Sequence, residues 1–349
     1  MRQRYLSGIG PLGRLSDSAG SVEDAGHFFM SSVASSSWII SRRDDLLFFS
    51  GSALLGYAFV LFAFALGELP TRFLVAFAFA IDGPHVYSTA TRALFDRNER
   101  KNLRWLWCLV LPLCLLIGPV LMLSLGRAWL LVVIASLSHY HISKQHMGFV
   151  MIYKRKDGER CDYKLDKYFT LVSLILPFMF YLSAIAVGTS ALLPLFLIPA
   201  VVLSLWYVWH QAQRGWANKP KLLLLAAFIP LQWAAWSFAA LEPNSISRLV
   251  SAAVATNVGH SFQYLRLMYF HNHNRYAQSG GLLETISRKW IYFLAAAIAL
   301  ASPLNLLLPY LAPPVIRSAA VGFLFFHFVV DSKIWRVRGN PDLAEALHL

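Results

Sequence analysis

Apolar residues in this chain come in long unbroken runs, such as 222–229, and do not alternate with polar ones. Several runs reach the roughly 20 residues that a helix needs to cross a bilayer. The period-two alternation of a transmembrane barrel is missing from them. Gly and Pro punctuate the runs, at Gly67-Glu68-Leu69-Pro70, Gly126, Gly188, Glu242-Pro243-Asn244 and Pro313-Pro314. Read between those breaks, the pattern predicts helices over 46–67, 72–95, 104–124, 127–153, 166–188, 191–213, 220–241, 246–271, 288–310 and 314–336. The expected fold is all-α: a polytopic integral membrane bundle of about ten helices. Residues 1–40 read as a flexible tail, rich in Ser and Gly, with a short interfacial turn at His27-Phe28-Phe29-Met30. Residues 41–338 read as the transmembrane domain and 339–349 as a short C-terminal tail.

Composition strengthens this reading. Of 349 residues, 57% are hydrophobic and 14% charged, where a soluble domain carries roughly 25% charged residues. The net charge of +13 would suit a nucleic-acid partner if it were clustered on one domain. It is instead spread over alternate connections. Basic residues follow the second predicted helix (Arg92, Arg97, Arg100, Lys101, Arg104) and the fourth (Lys154, Arg155, Lys156, Arg160). They also follow the sixth (Arg214, Lys219, Lys221), the eighth (Arg275, Arg288, Lys289) and the tenth (Lys333, Arg336, Arg338). By the positive-inside rule this puts both termini in the cytoplasm and argues against nucleic acid. The expected location is the inner (cytoplasmic) membrane, crossed many times. Cys108, Cys114 and Cys161 form neither a disulfide framework nor a CxxC zinc site.

The chemistry lies in the polar residues that interrupt the apolar runs. Within the predicted helices histidines occur at 85, at 139, 141 and 146, at 210, at 260 and 271, and at 327, always on an even-numbered one, while His27, His273 and His348 lie outside them. Such ionisable groups are costly in a membrane and mark function by default. His139 and His146, seven residues apart, share a helical face, and His141 points nearly the other way. The favoured inward pair is therefore His139 and His146, with His141 joining only if the helix distorts. Asp82-Gly83-Pro84-His85 places a carboxylate and an imidazole beside a helix-loosening proline. His327 and Asp331 are one turn apart, and His260 opens a polar stripe that includes Tyr264. The candidate ligands are thus His85, His139, His141, His146, His260, His327, Asp82 and Asp331. Buried Asp–His or Asp–Arg pairs that only hold helices together are the plain alternative. Tyr140 and Tyr264 could supply protons or hydrogen bonds, and Arg92 or Lys144 could hold an anionic head group.

So many imidazoles with two carboxylates exceed one four-coordinate zinc site, and mixed N/O ligation suits iron, manganese or zinc. Gathered on cytoplasmic helix ends, with His139-x-His141-x4-His146 as the densest stretch, they resemble the histidine-rich integral-membrane di-iron oxygenases of the desaturase and hydroxylase class. The HxxxH and HxxHH boxes of that class are absent. The resemblance implies an oxidoreductase with iron, two ions per chain, and zinc or manganese as alternatives. It also implies a lipid-like substrate dissolved in the membrane, and a cytoplasmic electron-donor protein, because the chain carries no flavin or nicotinamide fingerprint. Three other expectations fit the same residues: a proton-coupled transporter, a zinc-dependent hydrolase or transferase acting on lipid head groups, and a bis-histidine haem protein.

Overall fold

The computed structural model describes residues 37–302, 313–337 and 340–349. Among these residues every regular element is helical. The principal helices are α1 (Arg42–Leu66), α2 (71–93), α3 (106–125), α4 (127–156), α5 (Tyr163–Val187), α6 (Leu193–Gln213), α7 (Lys219–Ala240), α8 (Ile246–Tyr276), α9 (Trp290–Ser302) and α10 (Pro314–Ile334). Six stretches are long and apolar enough to cross a membrane: Arg42–Leu66, Leu106–Lys156, Tyr163–Val187, Ser190–Gln213, Lys219–Ala240 and Pro314–Ile334. The chain is therefore a helical bundle of membrane type. The other helices fall short for visible reasons. In α2 a wide π turn over Ala78–Asp82 precedes Pro84, α8 carries a polar stripe, and α9 spans only 13 described residues.

Leu106–Lys156 is not one straight rod. Cys114 packs on Gly322, whereas His141 packs on His327 and Phe328. In a straight helix 27 residues would span about 40 Å, yet their partners on α10 are roughly one and a half turns apart. The chain doubles back at Gly126, whose backbone (φ 78°, ψ 173°) lies where only glycine is comfortable. The same α10 thus faces both α3 and α4.

In a bilayer, helices approach by van der Waals packing at small residues. Gly322 sits so close to α3 that a Cβ there would lie 2.5 Å from the Cys114 carbonyl oxygen. Gly56 likewise meets Ala255 and Leu231, joining α1 to α8 and α7. The centre of the bundle is α8, which packs against α1, α2, α4 and α7. It separates an apolar core built with α1, α5 and α7 from a second built with α3, α9 and α10.

Both ends of the described chain are held more firmly than tails. Ser37 donates to Asp157 (2.8 Å), and the Ile39 N–H donates to the buried Asp45 carboxylate (2.7 Å). The packed region thus begins before residue 41, because a buried carboxylate draws those backbone donors to it. The remainder of the expected N-terminal tail, 1–36, with the turn at His27-Phe28-Phe29-Met30, lies outside the described residues. At the other end the helix Pro341–Ala346 docks on α8, with Asn274 donating to the Ala346 carbonyl (2.8 Å) and Arg275 to Asp342 (2.9 Å).

Candidate metal centre

Four helices bring one imidazole each to a common point: His85 on α2, His141 on α4, His260 on α8 and His327 on α10. Ring centroids lie 4.7 Å apart for His85–His260, 5.2 Å for His260–His141, 5.2 Å for His141–His327 and 4.6 Å for His327–His85. The four rings close a loop. Potential ligand atoms of His85, His141 and His327 all lie within 4.8 Å of one another. Bonds of about 2.1 Å to a tetrahedral ion would space the nitrogens by roughly 3.4 Å, so a modest contraction brings these three to ligating distance.

Hydrogen bonding singles out the same atoms. Nε2 of His85, His141, His260 and His327 all lack a partner, as do His260 Nδ1 and Asp331 Oδ2. That oxygen lies 3.7 Å from His141 Nε2 and 3.5 Å from His327 Nε2. An orphaned buried polar atom costs about 1–3 kcal/mol. A cluster of them offers its lone pairs to a water or an ion.

Behind the cluster the polar groups are paired, and with Asp331 ionised the pairing selects one tautomer. Tyr264 Oη lies 2.6 Å from Asp331 Oδ1, Thr89 Oγ1 lies 2.8 Å from Tyr264 Oη, and His327 Nδ1 lies 2.7 Å from Thr89 Oγ1. An ionised Asp331 can only accept, so the Tyr264 hydroxyl donates to it. Tyr264 has no second proton, so Thr89 donates to Tyr264. Thr89 in turn accepts, so His327 Nδ1–H is the donor. Only Nε2 of His327 then carries a lone pair, and it points into the cluster. This is the arrangement by which outer partners orient metal-ligating histidines. His85 follows the same plan more loosely, with Nδ1 3.4 Å from Ser261 Oγ and 3.9 Å from Asp82 Oδ1. Pro84, which lacks an N–H, and the π turn before it set the facing of His85.

The favoured pair from the sequence takes another direction. His139 lies on the α5 and α7 side, with Nε2 2.8 Å from the Leu174 carbonyl and its ring stacked on Phe178. His146 bonds through Nδ1 to the Ile142 carbonyl one turn back (2.9 Å) and packs on Phe228. Both keep one buried unpartnered nitrogen, His139 Nδ1 and His146 Nε2. α4 needs no distortion to use His141: because α10 and α8 flank that face, the residue opposite the pair meets the other imidazoles. Asp82 stands behind His85 and accepts from Asn257 (2.5 Å). Arg92 is fully buried, paired with Glu99 (3.2 Å) and set over Trp335. Tyr140 is exposed, while Tyr264 is inside the relay just described. His210 pairs with Asp162 (3.1 Å), His271 with Asn272 (3.1 Å) and His273 with the Ser287 carbonyl (2.9 Å).

Two cavities reach the cluster. One, of ≈ 200 Å³, is bounded by His85, His139, His141, His260 and apolar residues of α4 and α8. The other is a groove of ≈ 1480 Å³ running along α4 to His141, Asp331 and Phe328. Phe328 stacks on His141 (4.4 Å) where the two meet.

No protein-family model, curated protein or solved structure matches this chain. The reading of the site rests on its geometry.

A second polar cluster escaped the sequence reading. Asp166 of α5 is fully buried and accepts from Tyr207 of α6 (2.5 Å), Lys221 of α7 (3.1 Å) and Lys154 of α4. Glu159 closes the network with Lys154 (2.7 Å) and Lys221 (3.0 Å). The signal was faint: Asp166 and Lys221 both stand at predicted helix ends, where charge is ordinary.

Proposed function

We propose that this chain is a multi-pass membrane metalloenzyme, an oxidoreductase whose iron is held by His85, His141, His260 and His327 with Asp331 beside them. The observation that carries the reading is the set of unpartnered Nε2 atoms on four imidazoles whose rings close a loop, with ligand atoms of His85, His141 and His327 within 4.8 Å of one another. Imidazole with one carboxylate suits iron, and zinc or manganese accept the same donors. When bound, iron would supply redox chemistry toward dioxygen. The chain's own residues orient the donors through Thr89 and Tyr264, and keep bulk water out with the surrounding apolar helices. His139, beside the smaller cavity, and His146 on the same face of α4 each offer one more free nitrogen toward a second ion. The groove gives a lipid-like substrate a way in from the membrane.

In this reading the ten helices α1 to α10 each cross the inner membrane, with the reversal at Gly126 separating the third from the fourth. Both termini then lie in the cytoplasm, where the basic connections also offer a docking face to an electron-donor protein. The test is metal analysis of detergent-purified full-length protein together with its optical spectrum. Iron at one or two per chain without a Soret band supports the reading. Stoichiometric zinc moves it to a head-group hydrolase or transferase, a Soret band to a haem protein, and metal-free protein to a proton-relay transporter.

A further inference from the structure

The groove along α4 is chemically lopsided. Its lining includes apolar Leu137, Met147, Met151, Ile152 and Phe328, and it takes in His141 and Asp331. Its rim carries Lys144, Arg155, Arg160 and Arg336, none with an acidic partner among the described residues. Glu159 also lines it, but is committed to Lys154 and Lys221. Unpaired surface cations alone mark only the basic side of a membrane protein. Here two further features make a site. Gln145, also in the lining, has a buried Nε2 with no partner. Gly148, midway along the groove, has nothing within 4 Å of where a Cβ would lie, so the channel is open there.

We propose that this groove is the substrate site and that it takes a phospholipid of net negative charge. The phosphate sits among Arg155, Arg160 and Arg336, Gln145 donates to an ester oxygen, and one acyl chain runs past Gly148 to His141 and Asp331. That the lipid is acted on at its far end rests on the metal-centre reading; that it binds does not. The sizes agree. From Arg155 to His141 is 14 residues of helix, about 21 Å, the reach of a long chain and not of a small metabolite. The volume of ≈ 1480 Å³ exceeds the roughly 300–1,000 Å³ of small-ligand pockets and leaves room for a second chain. Basic pockets between membrane helices are recognised sites for anionic head groups.

The test uses the full-length protein in detergent. Its thermal unfolding is titrated with phosphatidylglycerol, with phosphatidylcholine of the same chains, and with oleate as a single-chain anion, while metal content is measured on the same samples. The expected result is half-saturation by phosphatidylglycerol at a roughly tenfold lower concentration than by phosphatidylcholine or oleate. The triple variant R155Q/R160Q/R336Q should lose that preference, and Gly148→Phe should bind neither phospholipid, both with unchanged metal content. Should the triple variant fail to fold, Gly148→Phe decides alone. Equal response to both phospholipids, oleate matching phosphatidylglycerol, or undiminished preference in either variant overturns the proposal. Preference in a metal-free protein leaves the lipid site standing and removes the metal centre; metal without preference does the reverse.

Discussion

The two polar clusters buried in this bundle are built on opposite principles. Around Asp166, the carboxylate is engaged by Tyr207, Lys154 and Lys221, and Glu159 completes the charge balance. Around His327, the groups facing away from the centre are bonded through Thr89 and Tyr264, but those facing inward are bare. The first cluster ties α4, α5, α6 and α7 together and is closed to anything further. The second spends burial on lone pairs left free, which is what a ligand-binding centre requires. On the proposed reading, the difference separates a structural ion network from a metal-binding one.

Mutation sharpens this contrast. Removing one partner of the closed network should have the largest effect on stability. Asp166→Ala leaves two buried lysines with Glu159 as their one shared carboxylate and should cost about 3–5 kcal/mol, read by denaturation in detergent, with metal per folded chain unchanged. Loss of metal in folded Asp166→Ala would erase the distinction. At the open cluster, Thr89→Val keeps side-chain shape but frees His327 Nδ1 from its acceptor. It should weaken metal affinity roughly 10- to 100-fold, measured by chelator competition, with a smaller effect on stability. Unchanged affinity would remove Thr89 from the centre. His146→Phe should leave the metal at the four-histidine centre in place, because His146 faces Phe228; if two ions are present, one should be lost and one kept. The smallest effect concerns pH. His210 above all, and Arg214 with it, hold the Asp162 carboxyl below the usual carboxylate range. A lowered folded-state pKa stabilises above the unfolded value and is lost as pH falls through the folded one. Wild type should therefore lose slightly more stability than Asp162→Asn on acidification below about pH 4, and parallel curves would assign the pair no role.

Much of the fold was readable because the membrane imposes simple rules. Long apolar runs and glycine or proline breaks located the helices, including the reversal at Gly126, which a continuous helical stretch would otherwise conceal. Sorting histidines onto alternate helices pointed to a shared site, and His85, His260 and His327 do meet there. The choice among His139, His141 and His146 was not readable. Helical periodicity gives relative facing, but which face of α4 turns inward depends on how α8 and α10 pack against it. Asp82 lies beside the centre, lining the smaller cavity with His85, His141 and His260, accepting from Asn257 and standing 3.9 Å from His85 Nδ1. Arg92 could not be assigned either, since Glu99 reaches back to it from the connection after α2 and Trp335 comes from the end of α10.

The central claim is that imidazoles from α2, α4, α8 and α10 grip one ion between them. Its most direct test is metal per chain, by mass spectrometry of purified, folded His85→Ala, His141→Ala, His260→Ala and His327→Ala, beside wild type and His146→Phe. The account predicts that each of the four loses the ion held at this centre and that His146→Phe retains it. Wild-type occupancy in His141→Ala and His327→Ala, or a wild-type protein that binds no metal, would contradict it.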